Sequence, residues 1–288
     1  MDVVSYYPSI IINNNYYPDH LGPDFINLYK KFYEDRVKAK LNGDKVRAET
    51  YKIILNGSFG KFGSKWSKLY SPSLLLHTTL TGQLTLLMLI ERLLLEGFTV
   101  VSANTDGITI KGNKTQVPLL DSLLINWQNE TEFKLEKTHY KAIYHESVNS
   151  YIAILDNNEV KCKGNYALEG LHKNPQSPIC VEAVINYIQY GIEIEDTIYK
   201  GKDDIRKYLI IRKVTGGAIY KDQYLGKVIR WYYGLNGDVI TYQKNGNKVA
   251  MSEGAIPLMI LPNIAVDDID FQKYIDISYK MLKKLGVK

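Results

Sequence analysis

Two rhythms of apolar and polar positions alternate along the chain. From Asp2, the run Asp-Val-Val-Ser-Tyr-Tyr-Pro-Ser reads as an extended segment halted by Pro8. Over residues 24–41, Phe25, Leu28, Phe32 and Val37 recur at helical spacing. Asn42-Gly43-Asp44 marks a turn, and residues 45–59, carrying Ile53, Ile54 and Leu55, continue as a second helix. Two helices joined by so short a turn form an antiparallel hairpin. The apolar run 78–96 predicts a long helix closed by Gly97. The β-branched runs 98–102 and 108–111 flank Ala103-Asn104-Thr105-Asp106-Gly107, a strong hairpin-turn signal.

Further on, the pattern predicts a helix over 119–129 and strands over 133–135, 142–145, 151–155 and 160–163, the last two joined by Asp156-Asn157-Asn158. From Ser177 the periodicity becomes helical, with segments 179–190 and 203–210, a strand-like hairpin at 239–251 and a final helix over 270–285. There is no repeat and no low-complexity stretch. The order implies an α+β protein: a mixed sheet with helices, then a mostly helical C-terminal part, with a soft boundary near 168–177.

Composition narrows this only slightly. Hydrophobic residues make up 45% of the 288 and charged residues 23%, a globular balance. Tyrosine, at 23 copies, suits cores and wet clefts alike. The net charge of +5 is compatible with a polyanionic partner without requiring one. Cys162 and Cys180 lack metal-type spacing and read as reduced thiols of a cytosolic protein. No signal-peptide pattern opens the chain. The apolar run 84–95 is broken by Glu91 and Arg92 and reads as a buried helix, not a membrane span.

Candidate chemistry begins with two carboxylates. Asp2 heads a strand and Asp106 lies in a hairpin turn; strands lying side by side bring both to one sheet edge. Hard divalent cations take a few carboxylate oxygens plus substrate phosphates. Two such ions roughly 4 Å apart activate a hydroxyl and stabilise a departing pyrophosphate. Alone, an Asp in a turn is usually a turn former.

The flanking residues shift that weighting. Asp2-Val3-Val4-Ser5-Tyr6-Tyr7-Pro8-Ser9 resembles motif A of family B DNA polymerases, Asp-x-x-Ser-Leu-Tyr-Pro-Ser. Lys52-Ile-Ile-Leu-Asn56-Gly57-Ser58-Phe59-Gly60 resembles motif B, Lys-x-x-x-Asn-Ser-x-Tyr-Gly, and Asn104-Thr105-Asp106-Gly107 resembles motif C, Asp-Thr-Asp-Ser. Order and separations fit, and the likeness in general pattern, closest to phage enzymes, covers nearly the whole chain.

The resemblance implies a right-hand core: palm at 1–12 and 98–168, fingers and palm helices at 13–97, and a mostly helical thumb at 169–288. It implies template-directed transfer of nucleotides from deoxynucleoside triphosphates to a primer 3′-hydroxyl. Asp2 and Asp106 would be catalytic and, with the Val3 carbonyl, would hold two Mg²⁺ or Mn²⁺ ions. Amides around Ser5 and Tyr6 would cradle the β- and γ-phosphates. Tyr7 would be the steric gate against a 2′-hydroxyl. Arg36 and Lys40, with Lys52 and Asn56 on the partner helix, would face the triphosphate. Phe59 and Gly60 would lie at the nascent base pair. Asn104 and Thr105, together with Tyr151, Lys161, Lys163 and Gly164, would meet the primer strand. Arg206, Lys207, Arg212, Lys213, Lys227 and Arg230 would grip duplex DNA without sequence specificity. The partners implied are primer-template DNA and nucleotide, with no membrane, in the cytoplasm of a bacterial host if the chain is phage-encoded.

Departures accompany the likeness. Asn104 stands where the family has Asp, Gly107 where it has Ser, Gly57 for Ser, Phe59 for Tyr, and Asn149 for the lysine two before Tyr151. Only Met1 precedes motif A, so the family's proofreading exonuclease is assigned to no part of this chain and is expected as a separate N-terminal portion. The rival readings are a DNA-binding remnant with little catalysis and another palm nucleotidyltransferase such as a reverse transcriptase; the Ser-Tyr-Tyr-Pro-Ser and Lys-x-x-x-Asn patterns disfavour the latter.

Overall fold

In the computed structural model, which describes residues 1–168, 170–171, 174–261 and 266–287, β1 spans only Asp2–Val3 and a helix, α1 (Tyr6–Asn13), follows at once. The extended reading of residues 2–9 is therefore corrected. Ser5 turns the chain in the left-handed region (φ 51°). Pro8 falls in the first helical turn, where its missing N–H has no partner to lose. Tyr6, Ile10 and Ile11 then share a buried helical face.

The chain divides into two units, Met1–Thr138 and His139–Lys288. This boundary precedes the compositional change at 168–177, within which Glu169, His172 and Lys173 lie outside the described residues.

In the first unit, α2 (Asp24–Leu41) and α3 (Lys45–Lys61) form the expected hairpin. The Asp44 carboxylate caps α3 by accepting the Arg47 N–H at 3.0 Å. The buried face of α2 is Ile26, Tyr29 and Ala39, while Leu28 and Val37, though at helical spacing, are exposed. The Tyr29 hydroxyl donates to the Leu55 carbonyl at 2.9 Å and pins the two helices. Next comes α4 (Pro72–Leu95), which begins earlier than expected because Pro72 is tolerated in a first turn. It buries Leu74, Thr78, Gly82, Leu86, Leu89 and Leu93 but exposes Leu76, Leu80, Leu84 and Leu87. The expectation of a buried helix thus holds on one face. By length and composition alone, α4 is long and apolar enough to cross a membrane.

The hairpin β2 (Thr99–Ala103) and β3 (Ile108–Lys111), the helix α5 (Val117–Thr131) and β4 (Leu135–Glu136) complete the unit. β1 pairs antiparallel with β4, and a bridge from Asp2 to Gly107 ties it to the β2–β3 loop. Val3, Tyr6, Ile10, Leu89, Trp127 and Phe133 pack the core beneath this junction. The Trp127 indole donates to the Thr85 carbonyl at 3.0 Å, satisfying the polar end of a fully buried ring.

The second unit opens with the antiparallel sheet β5 (Tyr140–Ser147), β6 (Ser150–Leu155) and β7 (Val160–Lys163). The helices α6 (Pro178–Tyr190) and α7 (Ile194–Lys200) follow. The expected helix over 203–210 is corrected: two short 3-10 turns, Gly201–Asp203 and Ile205–Tyr208, lead into β8 (Ile210–Tyr220). β8 pairs with β9 (Gln223–Asp238), and β10 (Thr241–Tyr242) and β11 (Ala255–Pro257) flank them in the order β10-β8-β9-β11. The mostly helical C-terminal part is corrected with it. Ile210, Ile229 and Trp231 fill the inner face of that sheet, and α8 (Phe271–Lys284) packs its Tyr274 and Ile275 into the same core.

Candidate active site

The two expected metal-binding aspartates come together. The Val3 N–H donates to the Asp106 carbonyl at 2.6 Å, and the Ile108 N–H donates to the Met1 carbonyl at 2.9 Å, so Asp2 lies against the loop that carries Asp106. In an extended residue the N–H and C=O share one strand edge, which places the Val3 carbonyl on the Asp106 side. Asp106 is exposed and Asp2 half-buried. A Cβ built on Gly107 would stand 2.3 Å from Asp2 Oδ1, so the Asp2 carboxylate occupies the space that any side chain at 107 would need.

Asn104 shapes this loop. Its side-chain oxygen accepts the N–H groups of Asp106 at 3.1 Å and Gly107 at 2.6 Å, and its own N–H donates to the Gly107 carbonyl at 2.9 Å. An uncharged acceptor therefore holds the turn that presents Asp106. Thr105 is exposed beside it.

α1 points its first turn at the same place. Ser5, Tyr6 and Tyr7 sit where helix amides lack an intrahelical acceptor. The Tyr6 side chain serves the core: it is buried, donates to the Gly82 carbonyl at 2.6 Å and meets Phe133 edge-on at 5.2 Å. Burial holds its hydroxyl well above the usual phenol range. Tyr7 stacks on Phe59 of α3, with centroids 4.1 Å apart and planes 21° apart. Its hydroxyl is also raised, first by burial and then by the negative charge of Asp106. Tyr7, Asn104 and Thr105 line a cavity of about 470 Å³ together with Thr79, Gln83 and Leu87 of α4.

The α2–α3 hairpin supplies the cations. Arg36 lies on the inward stripe of α2 and donates to the Ser5 hydroxyl. Lys40 is paired with Glu136 at 2.8 Å and Lys52 with Glu49 at 3.0 Å. Asn56 and Gly60 are exposed on α3.

The remaining expected residues form a cluster of their own in the second unit. Tyr151 lies opposite Lys163, and Ala153 opposite Lys161, so Tyr151, Lys161 and Lys163 share a face of the β6–β7 pair. Both lysines are exposed, and Tyr151 meets His145 edge-on at 5.4 Å. At Gly164 (φ 63°) a Cβ would stand 2.2 Å from the Asn149 carbonyl oxygen, so the turn after β7 requires glycine. Of the basic residues expected to grip duplex DNA, Lys207 is paired with Glu182 at 2.8 Å and Arg212 donates to the Ala250 carbonyl at 2.8 Å.

No family model matches the chain. Over 170 residues it is 23% identical to DNA polymerase 1 of Saccharolobus solfataricus, a match covering 55% of this chain and 18% of that protein. Over 57 residues it is 44% identical to the uncharacterized mitochondrial protein ymf34 of Marchantia polymorpha, 20% of this chain and 73% of that protein, a family-level likeness. The structure of the family B DNA polymerase of Pyrobaculum calidifontis superposes with a TM-score of 0.56 over 99% of this chain, at 14% identity. The fold is that of a family B DNA polymerase. The chain spans 44% of that polymerase's length.

Against that family B frame, Glu136 is the residue near the site that motif reading missed. It lies opposite Asp2 in the β1–β4 pair. It lies just past the expected strand 133–135, and pairing between strands so far apart in the chain has no local signature. Among the described residues no cluster of three His, Cys, Asp or Glu side chains is close enough to hold a metal ion. The donor set present, two carboxylates and a backbone carbonyl, is all hard oxygen. It fits Mg²⁺ of the kind that takes its remaining ligands from water and substrate phosphate.

Proposed function

We propose that this chain performs the polymerising chemistry of a family B DNA polymerase: attack of a primer 3′-hydroxyl on the α-phosphate of a deoxynucleoside triphosphate, directed by a template. The observation that carries this reading is the meeting of Asp2 and Asp106 through the Val3–Asp106 hydrogen bond, with Tyr7, Ser5 and Arg36 gathered at the same end of α1. A distant likeness to a DNA polymerase over 170 residues supports it.

When bound, a pair of divalent ions supplies the Lewis acidity that lowers the hydroxyl's pKa and neutralises the departing pyrophosphate. Asp2, Asp106 and the Val3 carbonyl would hold them. The Ser5–Tyr7 amides would receive the β- and γ-phosphates at the positive end of α1, with Arg36, Lys40 and Lys52 neutralising the remaining charge. The Tyr7 ring, fixed by its stack on Phe59, would close the space a 2′-hydroxyl needs. Lys161 and Lys163 would hold primer phosphates as point charges.

Primer extension with Mg²⁺ tests the reading. Wild type is expected to extend, and D2A and D106A each to lose on the order of 10³-fold in rate, the worth of several kcal/mol of charge stabilisation. Equal background from all three proteins would sink the catalytic reading. DNA binding without synthesis would favour a DNA-binding protein with little catalysis. Equal use of ribonucleotides would remove the gating role from Tyr7.

A further inference from the structure

The three hairpin cations expected to face the triphosphate each hold a protein acceptor. Arg36 bonds the Ser5 hydroxyl, Lys52 bonds both Glu49 oxygens at 3.0 and 3.2 Å, and Lys40 bonds Glu136 at 2.8 Å. The Lys40 pair differs from the Lys52 pair in what it connects. Glu49 and Lys52 lie on one helix, whereas Lys40 reaches from the hairpin to β4. There Glu136 stands directly opposite Asp2, with its side chain on the same sheet face. A carboxylate oxygen on Lys40, beside Asp2, occupies the kind of position that a phosphate oxygen of a bound triphosphate would take.

We propose that Glu136 is a positioning residue that parks Lys40 beside Asp2 and yields it to the incoming triphosphate. The proposal rests on the polymerase reading. Parking keeps the hairpin close to β4 before substrate arrives and makes nucleotide compete with an internal carboxylate. Both side chains are well exposed, 65% for Lys40 and 60% for Glu136, so the competition is modest and sensitive to salt. Exposed pairs of this kind correspond to about a two- to fivefold change in binding.

The test is the Kd of a deoxynucleoside triphosphate with Mg²⁺, measured by calorimetry on the whole chain. Wild type is compared with E136Q, K40A and the double variant, with kcat of primer extension as a second readout. E136Q is expected to tighten nucleotide binding about two- to fivefold. That gain should vanish in the K40A background and fade as salt is raised. The same gain in K40A would mean that only a repelling charge was removed, and the parking role fails. An unchanged Kd overturns it as well. A fall in kcat with Kd unchanged would put Glu136 among the groups that hold the metals, and also overturns it. A chain that binds triphosphate but extends no primer overturns the polymerase reading alone, and the Kd series still decides the parking role. A chain that binds no triphosphate overturns both.

Discussion

In the Asp2–Asp106 region, Arg36, Lys40 and Lys52 each hold an acceptor belonging to the protein. On β7, the side chains of Lys161 and Lys163 stand exposed and make no hydrogen bond or ion pair among the described residues. Under the proposed polymerase function, the contrast would match two kinds of task. Reacting groups must be placed to a fraction of an ångström, and internal bonds enforce that. Gripping a phosphate backbone needs only charge within reach, and solvated lysines supply it. One device is nonetheless shared. Gly107 and Gly164 each lack a Cβ because the chain's own atoms fill its place, Asp2 Oδ1 at 2.3 Å and the Asn149 carbonyl at 2.2 Å.

The hardest blow to this contrast falls at Gly107. In G107A the new methyl must displace the Asp2 carboxylate, and a shift of about 1 Å at a reacting centre lowers rate about 10²-fold. Primer extension should fall by that factor while far-UV circular dichroism stays native. A rate within twofold of wild type would mean that the Asp2 position tolerates movement, and the first region would then be no more exacting than the second.

Asn104 sharpens the same point with a smaller effect. N104A leaves the Asp106 and Gly107 amides without their acceptor, a loss worth about 1 kcal/mol and about a fivefold slower reaction if the loop loosens. N104D keeps the acceptor oxygen and should hold the wild-type rate. If N104A and N104D slow the reaction equally, Asn104 acts through something other than those two bonds.

These loop residues also show what was legible in sequence. The α2–α3 hairpin, the β2–β3 turn and the Asp2–Asp106 pairing could all be read, because helical periodicity, a Gly-bearing turn and motif spacing are local or nearly so. Residues 5–9 read as extended because Val3, Val4 and a proline suggest a strand; one left-handed residue, Ser5, turns the same run into a helix. The inward face of α2 is not legible from spacing alone because its apolar residues outnumber one stripe, and packing buries Ile26, Tyr29 and Ala39 but not Leu28 and Val37. The β8–β9 hairpin was missed because Gly216, Gly217 and the register shift between Lys213 and Ala218 break its two-residue alternation. Glu136 opposite Asp2 is a long-range pairing that no window of sequence displays.

On the solvated side, K161A and K163A test the tolerance argued for the β6–β7 face. Each should weaken binding of primer-template DNA uniformly across sequences and reduce the slope of log K against log salt by about 1. A fluorescence-anisotropy titration over several salt concentrations checks this. Rate at saturating DNA should be spared. A fall in rate at saturating DNA would show that these lysines place the primer end, and would move them into the exacting class.

The smallest effect lies next to that face, at His145. Burial holds its imidazole below the usual value, and its ring meets Tyr151 edge-on. The unfolded chain takes up a proton near pH 6.5 while the folded one resists, so the second unit should lose stability as pH falls below about 6.5 and level off once the folded form also protonates. H145Q should remove that part of the slope. Glu146, one residue on, separates cleanly from it. Hydrogen bonds from Lys284, Tyr166 and Asn165 hold its carboxyl below the usual range. Its contribution is therefore present above the unfolded carboxyl value and is lost only at more acid pH. Urea midpoints of wild type and H145Q, compared from pH 7 to 5, should diverge in that window and run parallel below it. Parallel midpoints throughout would mean that His145 is as solvated as the neighbouring lysines, and the Tyr151 edge would then be as loosely set as the rest of the face.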